Sequence, residues 1–73
     1  MPKLPALKPK EVVKVLELIG FVFARQRGSH KIYVRDHIGI TIPDHRQELK
    51  KGTLAAIIRA SGLSVKEFIE IID

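Results

Sequence analysis

The segment that decides the fold is "FVFARQRGSHKIYVRDHIGITI", residues 21–42. It contains three short runs rich in β-forming residues, and the two gaps between them have the composition of turns. Gly28 can supply the positive φ angle that a tight turn requires. Pro43 stops the third run, because proline cannot donate to a sheet ladder. We predict a three-stranded antiparallel meander with strands at residues 21–26, 30–35 and 40–42.

Helical patterns lie on both sides of this segment. Apolar residues recur at helical spacing between Pro9 and Gly20, which predicts a helix that begins at a proline and ends at a glycine. A second helical stripe occupies residues 54–58. A third helix follows Ser64 and Glu67, whose spacing is that of a capping box. The predicted order is α-β-β-β-α-α, an α+β fold.

Side-chain alternation along residues 30–35 predicts two different sheet faces. One face of a three-stranded sheet must be covered, and the helices are the only apolar surfaces available to cover it. We expect the following residues to face the helices: Ile32, Val34, Ile40 and Ile42. We expect the following residues to face water: Lys31, Tyr33, Arg35 and Thr41.

Length and composition restrict the class of protein. The chain has 73 residues, which predicts one domain, residues 1–73, with residues 1–8 as a loose lead-in. Thirteen Lys and Arg against eight Asp and Glu give a net charge of +5, and seven of those cations fall within residues 24–51. This distribution favours a polyanionic partner. No cysteine and no apolar run of about 20 residues occur, so we expect a soluble, cytoplasmic protein.

His30 lies in the most basic part of the chain, "RQRGSHKIYV", residues 25–34. A neutral imidazole can take the proton of a ribose 2′-OH, and cations can stabilise the phosphorane that follows. The pattern therefore predicts metal-free RNA cleavage, while a histidine that fills space at the rim of the core remains the alternative. The expected RNA-binding residues are Arg25, Arg27, Gly28, Ser29, Lys31, Tyr33, His45, Lys50 and Lys51. Arg35, on the face expected in water, would add a phosphate contact.

Other polar features carry weaker predictions. His45 follows the third strand and is a second acid or base if its loop folds back, whereas His37 is an ordinary turn residue. "KKGTL", residues 50–54, can bind a phosphate at a helix N-terminus, and ordinary capping by Gly52 or Thr53 is the alternative. The three histidines show no short ligand spacing, so we expect neither a metal nor another cofactor.

Three local patterns together resemble the HicA family of toxins from bacterial and archaeal toxin–antitoxin systems. They are "GF" with "RQRGSHKIYV" within residues 20–34, "IPDH" at 42–45, and "ELKKGTLAAIIRASGLSVKEF" at 48–68. The resemblance implies a double-stranded-RNA-binding-domain-like fold and an mRNA interferase. It implies that His30 is the catalytic histidine, and that a HicB-type antitoxin covers the active face. Many family members have a second histidine directly after it, where this chain has Lys31.

The predicted reaction uses His30 as the base and leaves a 2′,3′-cyclic phosphate and a 5′-OH. Water, Tyr33 and His45 all remain open as the acid for the leaving group. Strict alternation directs His30 toward the helices, so we expect it at the rim of the sheet beside residues 50–51, or turned outward by a bulge at Ser29. A non-catalytic module for double-stranded RNA and an antitoxin-docking domain are the alternatives.

Overall fold

The computed structural model describes residues 4–72 and confirms the predicted α+β fold, with the order α-β-β-β-α-α. Its three strands form one antiparallel sheet in the order β1-β2-β3, consistent with a double-stranded-RNA-binding-domain-like fold. The elements are α1 (Pro9–Leu18), β1 (Val22–Arg27), β2 (His30–Arg35), β3 (Ile38–Pro43), α2 (Lys51–Ser61) and α3 (Val65–Ile72).

Two-residue turns connect the strands. Gly28, at φ 57°, and Ser29 join β1 to β2, as the position of the glycine predicts. Asp36 and His37 join β2 to β3, and Asp36 adopts φ 53°, which a short polar side chain tolerates. Because this turn is shorter than expected, β3 begins at Ile38 and not at residue 40.

The helices begin and end where local chemistry allows it. Gly20 follows α1 with φ 103°, and Gly62 ends α2 with φ 87°. Before α3, the Ser64 N–H donates to the Glu67 carboxylate at 2.9 Å, and the Glu67 N–H donates to the Ser64 hydroxyl at 3.1 Å. These two bonds form the predicted capping box. None of the helices between residues 4 and 72 is long and apolar enough to cross a bilayer.

The expected assignment of the β2 faces is wrong. Tyr33 pairs with Ile40, and both are buried on the helix-covered face, with 5% and 3% of their surface exposed. Ile32 and Val34 lie on the opposite face and are only partly buried. We call that opposite side of the sheet the open face.

The register across the turn explains this reversal, because a turn with an even number of residues, two or four, pairs odd positions with even positions. Directly opposed residues of an antiparallel pair share a face. Across the two-residue turn Arg35 opposes Ile38, so odd-numbered residues of β2 share a face with even-numbered residues of β3. The isoleucines of β3 therefore accompany Tyr33, and they cannot also accompany Ile32.

The core lies between the helix-covered face and all three helices. α1 and α2 pack on β3, and α3 packs against both of these helices. The largest fully buried side chains of the core are Phe21, Phe68 and Leu16. Residues 1–3 of the expected lead-in, residues 1–8, lie outside the described residues. Leu7, by contrast, is in the core, and its carbonyl accepts from the Leu49 N–H at 2.7 Å.

Candidate functional site

His30 is the first residue of β2 and lies exposed on the open face. Arg27 of β1 is directly opposite on one side, and Pro43 of β3 is directly opposite on the other. Directly opposed residues have Cβ atoms roughly 4.5–5.5 Å apart, so the imidazole and the Arg27 side chain are neighbours. The exposure does not require a bulge at Ser29, because no helix covers this face.

A bulge elsewhere, in β1, sets the face of each of its side chains. The register shifts between Phe23 and Arg25, so Ala24 is the extra residue. Phe23 lies on the helix-covered side, where its ring meets the Tyr33 ring edge-on at 5.7 Å between centroids. After the bulge, Arg25 pairs with Ile32 on the open face. Both arginines of β1 therefore share the open face with His30.

Apolar side chains continue the open face beyond this basic end. Val22 and Val34 pair across β1 and β2, and 60% of Val22 is exposed. Ile32, between them and His30, is only half-buried. The open face thus combines an exposed histidine, two arginines and an uncovered apolar strip, a combination suited to a charged substrate or to a protein partner.

The other side of the sheet holds a groove of about 590 Å³. It runs between the start of α1, the first half of β2 and the residues after β3. Its lining residues are Lys8, Pro9, Lys10, Val13, Lys31, Tyr33, Ile42, Pro43, Asp44, His45 and Arg46. Three predicted RNA-binding residues, Lys31, Tyr33 and His45, thus lie in this groove and not on the face of His30.

Tyr33 presents an unused donor to the groove. Its side chain is buried, yet its hydroxyl makes no hydrogen bond to residues 4–72 and is not sealed from solvent. Burial raises the pKa of Tyr33 above its ordinary 10.0, the charge of Lys31 lowers it, and the carboxylates of Glu17 and Asp44 raise it. The hydroxyl is therefore protonated at neutral pH, but it points away from the face that carries His30.

Asp44 fastens the loop after β3 to the β1–β2 hairpin. Its N–H donates to the Ser29 carbonyl at 2.6 Å. Its carboxylate accepts from Gln26 Nε2 at 3.2 Å and pairs with Lys31 Nζ at 3.6 Å. Our reading of the sequence missed Asp44 and Gln26. The available signal was the β2–β3 ladder, because extending it by one step beyond the pair of His30 brings position 44 beside position 29.

The loop therefore does fold back, but the two histidines diverge. His45 lines the groove, while His30 lies on the open face. His37 is exposed in the other turn, at the far end of the sheet. The structure brings His30 together with Arg25 and Arg27, and it brings His45 together with Lys31.

Other expected contacts lie away from both surfaces. Lys50 and Lys51 are exposed at the start of α2 and do not line the groove. Lys50 is the N-cap of α2, so capping by Gly52 or Thr53 does not occur, and no side chain caps this helix. Arg35 lies on the helix-covered face, where its guanidinium is used internally.

Within residues 4–72, no three His, Asp or Glu side chains come close enough together to hold a metal ion. The expectation of metal-independent chemistry remains a prediction.

Comparison with known protein families gives a match. A family model described as "HicA toxin of bacterial toxin-antitoxin" matches residues 9–63 of the 73-residue chain. The matched range begins with α1, includes the whole sheet and α2, and ends before α3. No curated protein matches the chain.

Proposed function

The chain belongs to the HicA toxin family, and we propose that this toxin is an endoribonuclease that cleaves mRNA with His30 as its general base. Membership of the family makes the chain the toxin of a toxin–antitoxin system, with a cognate antitoxin as its partner. The nuclease activity and its site are the proposal. We also propose that the toxin meets mRNA in the cytoplasm.

The observation that carries the proposal is the position of His30. It is an exposed imidazole at the end of a strand, with Arg27 directly across from it and Arg25 on the same face. A base with two cations on the same face suits RNA cleavage, because the base removes a proton while the cations stabilise charge that develops on phosphorus.

The proposed reaction is internal transesterification. His30 takes the proton of the 2′-OH, the O2′ attacks the adjacent phosphorus, and the bond from phosphorus to O5′ breaks. Arg25 and Arg27 stabilise the extra negative charge on the phosphorane. The products are a 2′,3′-cyclic phosphate and a 5′-OH. The leaving oxygen takes its proton from water, since Tyr33 and His45 both line the groove on the other side of the sheet.

The test is cleavage of single-stranded RNA in excess EDTA by the wild type and by His30→Ala. We expect cyclic-phosphate ends from the wild type and a rate roughly 10²–10⁴-fold lower for the variant, the usual contribution of a general base. His37→Ala is the matched control, because it removes another exposed histidine from the other end of the sheet. The control should cut like the wild type.

Two results would overturn the proposal. Undiminished cleavage by His30→Ala would exclude His30 as the base, whatever the activity of the family. A folded wild type that leaves RNA intact but binds duplex RNA would favour the non-catalytic RNA-binding module. In that case His30→Ala should change the affinity little, because phosphate contacts dominate such binding.

We further propose that the antitoxin is of the HicB type and that it covers the open face. The apolar strip beside His30 supports this, because uncovered apolar surface commonly marks a protein interface. A partner on this face blocks the proposed base and both arginines.

A further inference from the structure

We propose that the groove on the helix-covered side binds an unpaired RNA strand. The nucleotide that it holds is the one next to the bond that is cut at His30. This inference rests on the proposed function, because it supplies a second contact for the same substrate. It adds Lys8, Lys10 and Arg46 to the RNA-binding residues.

The charge of the groove favours a polyanion. Four cations line it, against the single carboxylate of Asp44. That carboxylate is already paired with Lys31 and accepts a hydrogen bond from Gln26. Among residues 4–72, the other three cations of the groove form no ion pair. Their charge is therefore available to phosphate oxygens.

The lining of the groove favours unpaired nucleotides. It contains apolar surface from Pro9, Val13 and Pro43, against which the flat side of a base can pack. The groove volume of about 590 Å³ falls within the roughly 300–1,000 Å³ of sites that enclose small ligands. A duplex is instead recognised by shape across its wide minor groove, which requires contacts over a broader surface than this groove offers.

Tyr33 adds a specific polar contact. Tyr33 lines the groove, more than nine-tenths of the residue is buried, and its hydroxyl makes no hydrogen bond to the described residues. The hydroxyl is open to solvent, so in the free protein water can occupy this position and a ligand can displace it. A phosphate or sugar oxygen of a bound nucleotide would supply an acceptor.

The groove and the proposed base lie at the same end of the sheet. His30 and Lys31 are consecutive in β2, so their side chains lie on opposite faces one position apart. The hairpin turn at Gly28 and Ser29 separates the two faces there. A single strand that passes over this end can place one phosphodiester at His30 and the adjacent nucleotide in the groove.

The test measures affinity for a short 2′-O-methyl RNA strand, which has no 2′-OH to attack and so remains intact. The groove variant is Lys8→Gln with Arg46→Gln. The matched control is Lys14→Gln with Lys66→Gln, which removes two exposed charges outside the groove. We expect the groove variant to bind at least tenfold more weakly and to lose about 1.4 from the slope of log K against log salt, since each phosphate contact in a single strand contributes about 0.7.

Tyr33→Phe is the second variant, because it removes only the hydroxyl and keeps the ring in the core. We expect a loss of affinity of about threefold to tenfold without a change in salt slope, as for one uncharged hydrogen bond. Circular dichroism of each variant verifies the fold. A duplex of the same sequence should bind the wild type more weakly than the single strand does.

The outcomes are separable from those of the proposed function. Equal losses in the groove variant and its control would overturn the groove assignment even if the wild type cleaves RNA. Tighter binding of the duplex would overturn the assignment to an unpaired strand. A groove variant that keeps its RNA affinity but loses affinity for the antitoxin would show that the groove holds protein. Specific binding in the groove without any cleavage would overturn only the nuclease.

Discussion

Arg35 joins two helix ends through one guanidinium. Its Nη1 donates to the Ile19 carbonyl at 2.7 Å, and its Nη2 donates to the Ser61 carbonyl at 3.4 Å. The guanidinium carbon also lies 4.6 Å from the centre of the buried Phe21 ring. These carbonyls follow the last turn of α1 and end α2, where intrahelical donors run out. Arg35 is therefore a structural residue whose guanidinium is engaged within the protein.

At this scale we predict that Arg35→Lys lowers the free energy of unfolding by about 1–3 kcal/mol. An ammonium lacks the planar fork that reaches both carbonyls, and hydrogen bonds to a charged donor contribute roughly 1.5–3 kcal/mol. Urea denaturation measures the change. Arg25→Lys is the control, since Arg25 is exposed and makes no hydrogen bond within residues 4–72, and it should stay within about 0.5 kcal/mol. A fully stable Arg35→Lys would show that stacking on Phe21 suffices.

At the scale of the element, α3 depends on its capping box. Only Phe68 of this helix is fully buried, so its first turn needs local support. The hydrogen bond from the Ser64 N–H, and to a smaller extent the Ser64 hydroxyl, hold the pKa of Glu67 below its ordinary 4.5. Because the unfolded chain takes up this proton first as the pH falls, the stability contributed by the ionised carboxylate is present above pH 4.5 and is lost below it.

We therefore predict that Glu67→Gln flattens the acid side of the stability curve. The variant keeps an acceptor for the Ser64 N–H but has no carboxylate to titrate, so its stability should fall less than that of the wild type below pH 4.5. Glu70→Gln on the same helix should follow the wild type. Thermal unfolding from pH 3 to pH 7 provides the comparison. Parallel wild-type and Glu67→Gln curves would mean that the box does not depend on charge.

At the scale of the whole molecule, the sheet separates two chemical surfaces. The open face carries His30, two arginines and an apolar strip, whereas the groove side carries lysines, His45 and the Tyr33 hydroxyl. β1 lies at the edge of the sheet, and all of its residues are exposed. An antitoxin on the open face can therefore block the proposed base while it leaves the groove accessible.

Val22→Lys tests this arrangement. We predict at least a tenfold loss of affinity for the cognate antitoxin, because burying an unpaired ammonium in an apolar contact is costly. The free energy of unfolding should change by less than about 0.5 kcal/mol, since Val22 is 60% exposed. Leu18→Lys is the matched control, with one added charge at a 67% exposed position on α1. If Leu18→Lys disrupts the complex and Val22→Lys does not, the antitoxin binds elsewhere.

The sequence by itself determined the order of the elements, most of their ends and the family. These features depend on local chemistry: the positive φ of Gly28, the proline and glycine around α1, and the box of Ser64 with Glu67. The prediction that His30 is exposed is correct, but His30 lies on the open face and not on the face that the helices cover. Because the turn at Asp36 has an even number of residues, it pairs odd-numbered positions of β2 with even-numbered positions of β3.

The tertiary structure alone decided which sheet face the helices cover and which cations accompany His30. Alternation defines two faces but does not say which one packs, because Tyr33 and the alkyl part of Arg35 can bury as much apolar surface as Ile32 and Val34. The bulge at Ala24 shifts the register so that Phe23 of β1 lies opposite Tyr33. The groove depends on contacts between residues far apart in the chain, such as Asp44 with Gln26, and no local pattern contains those contacts.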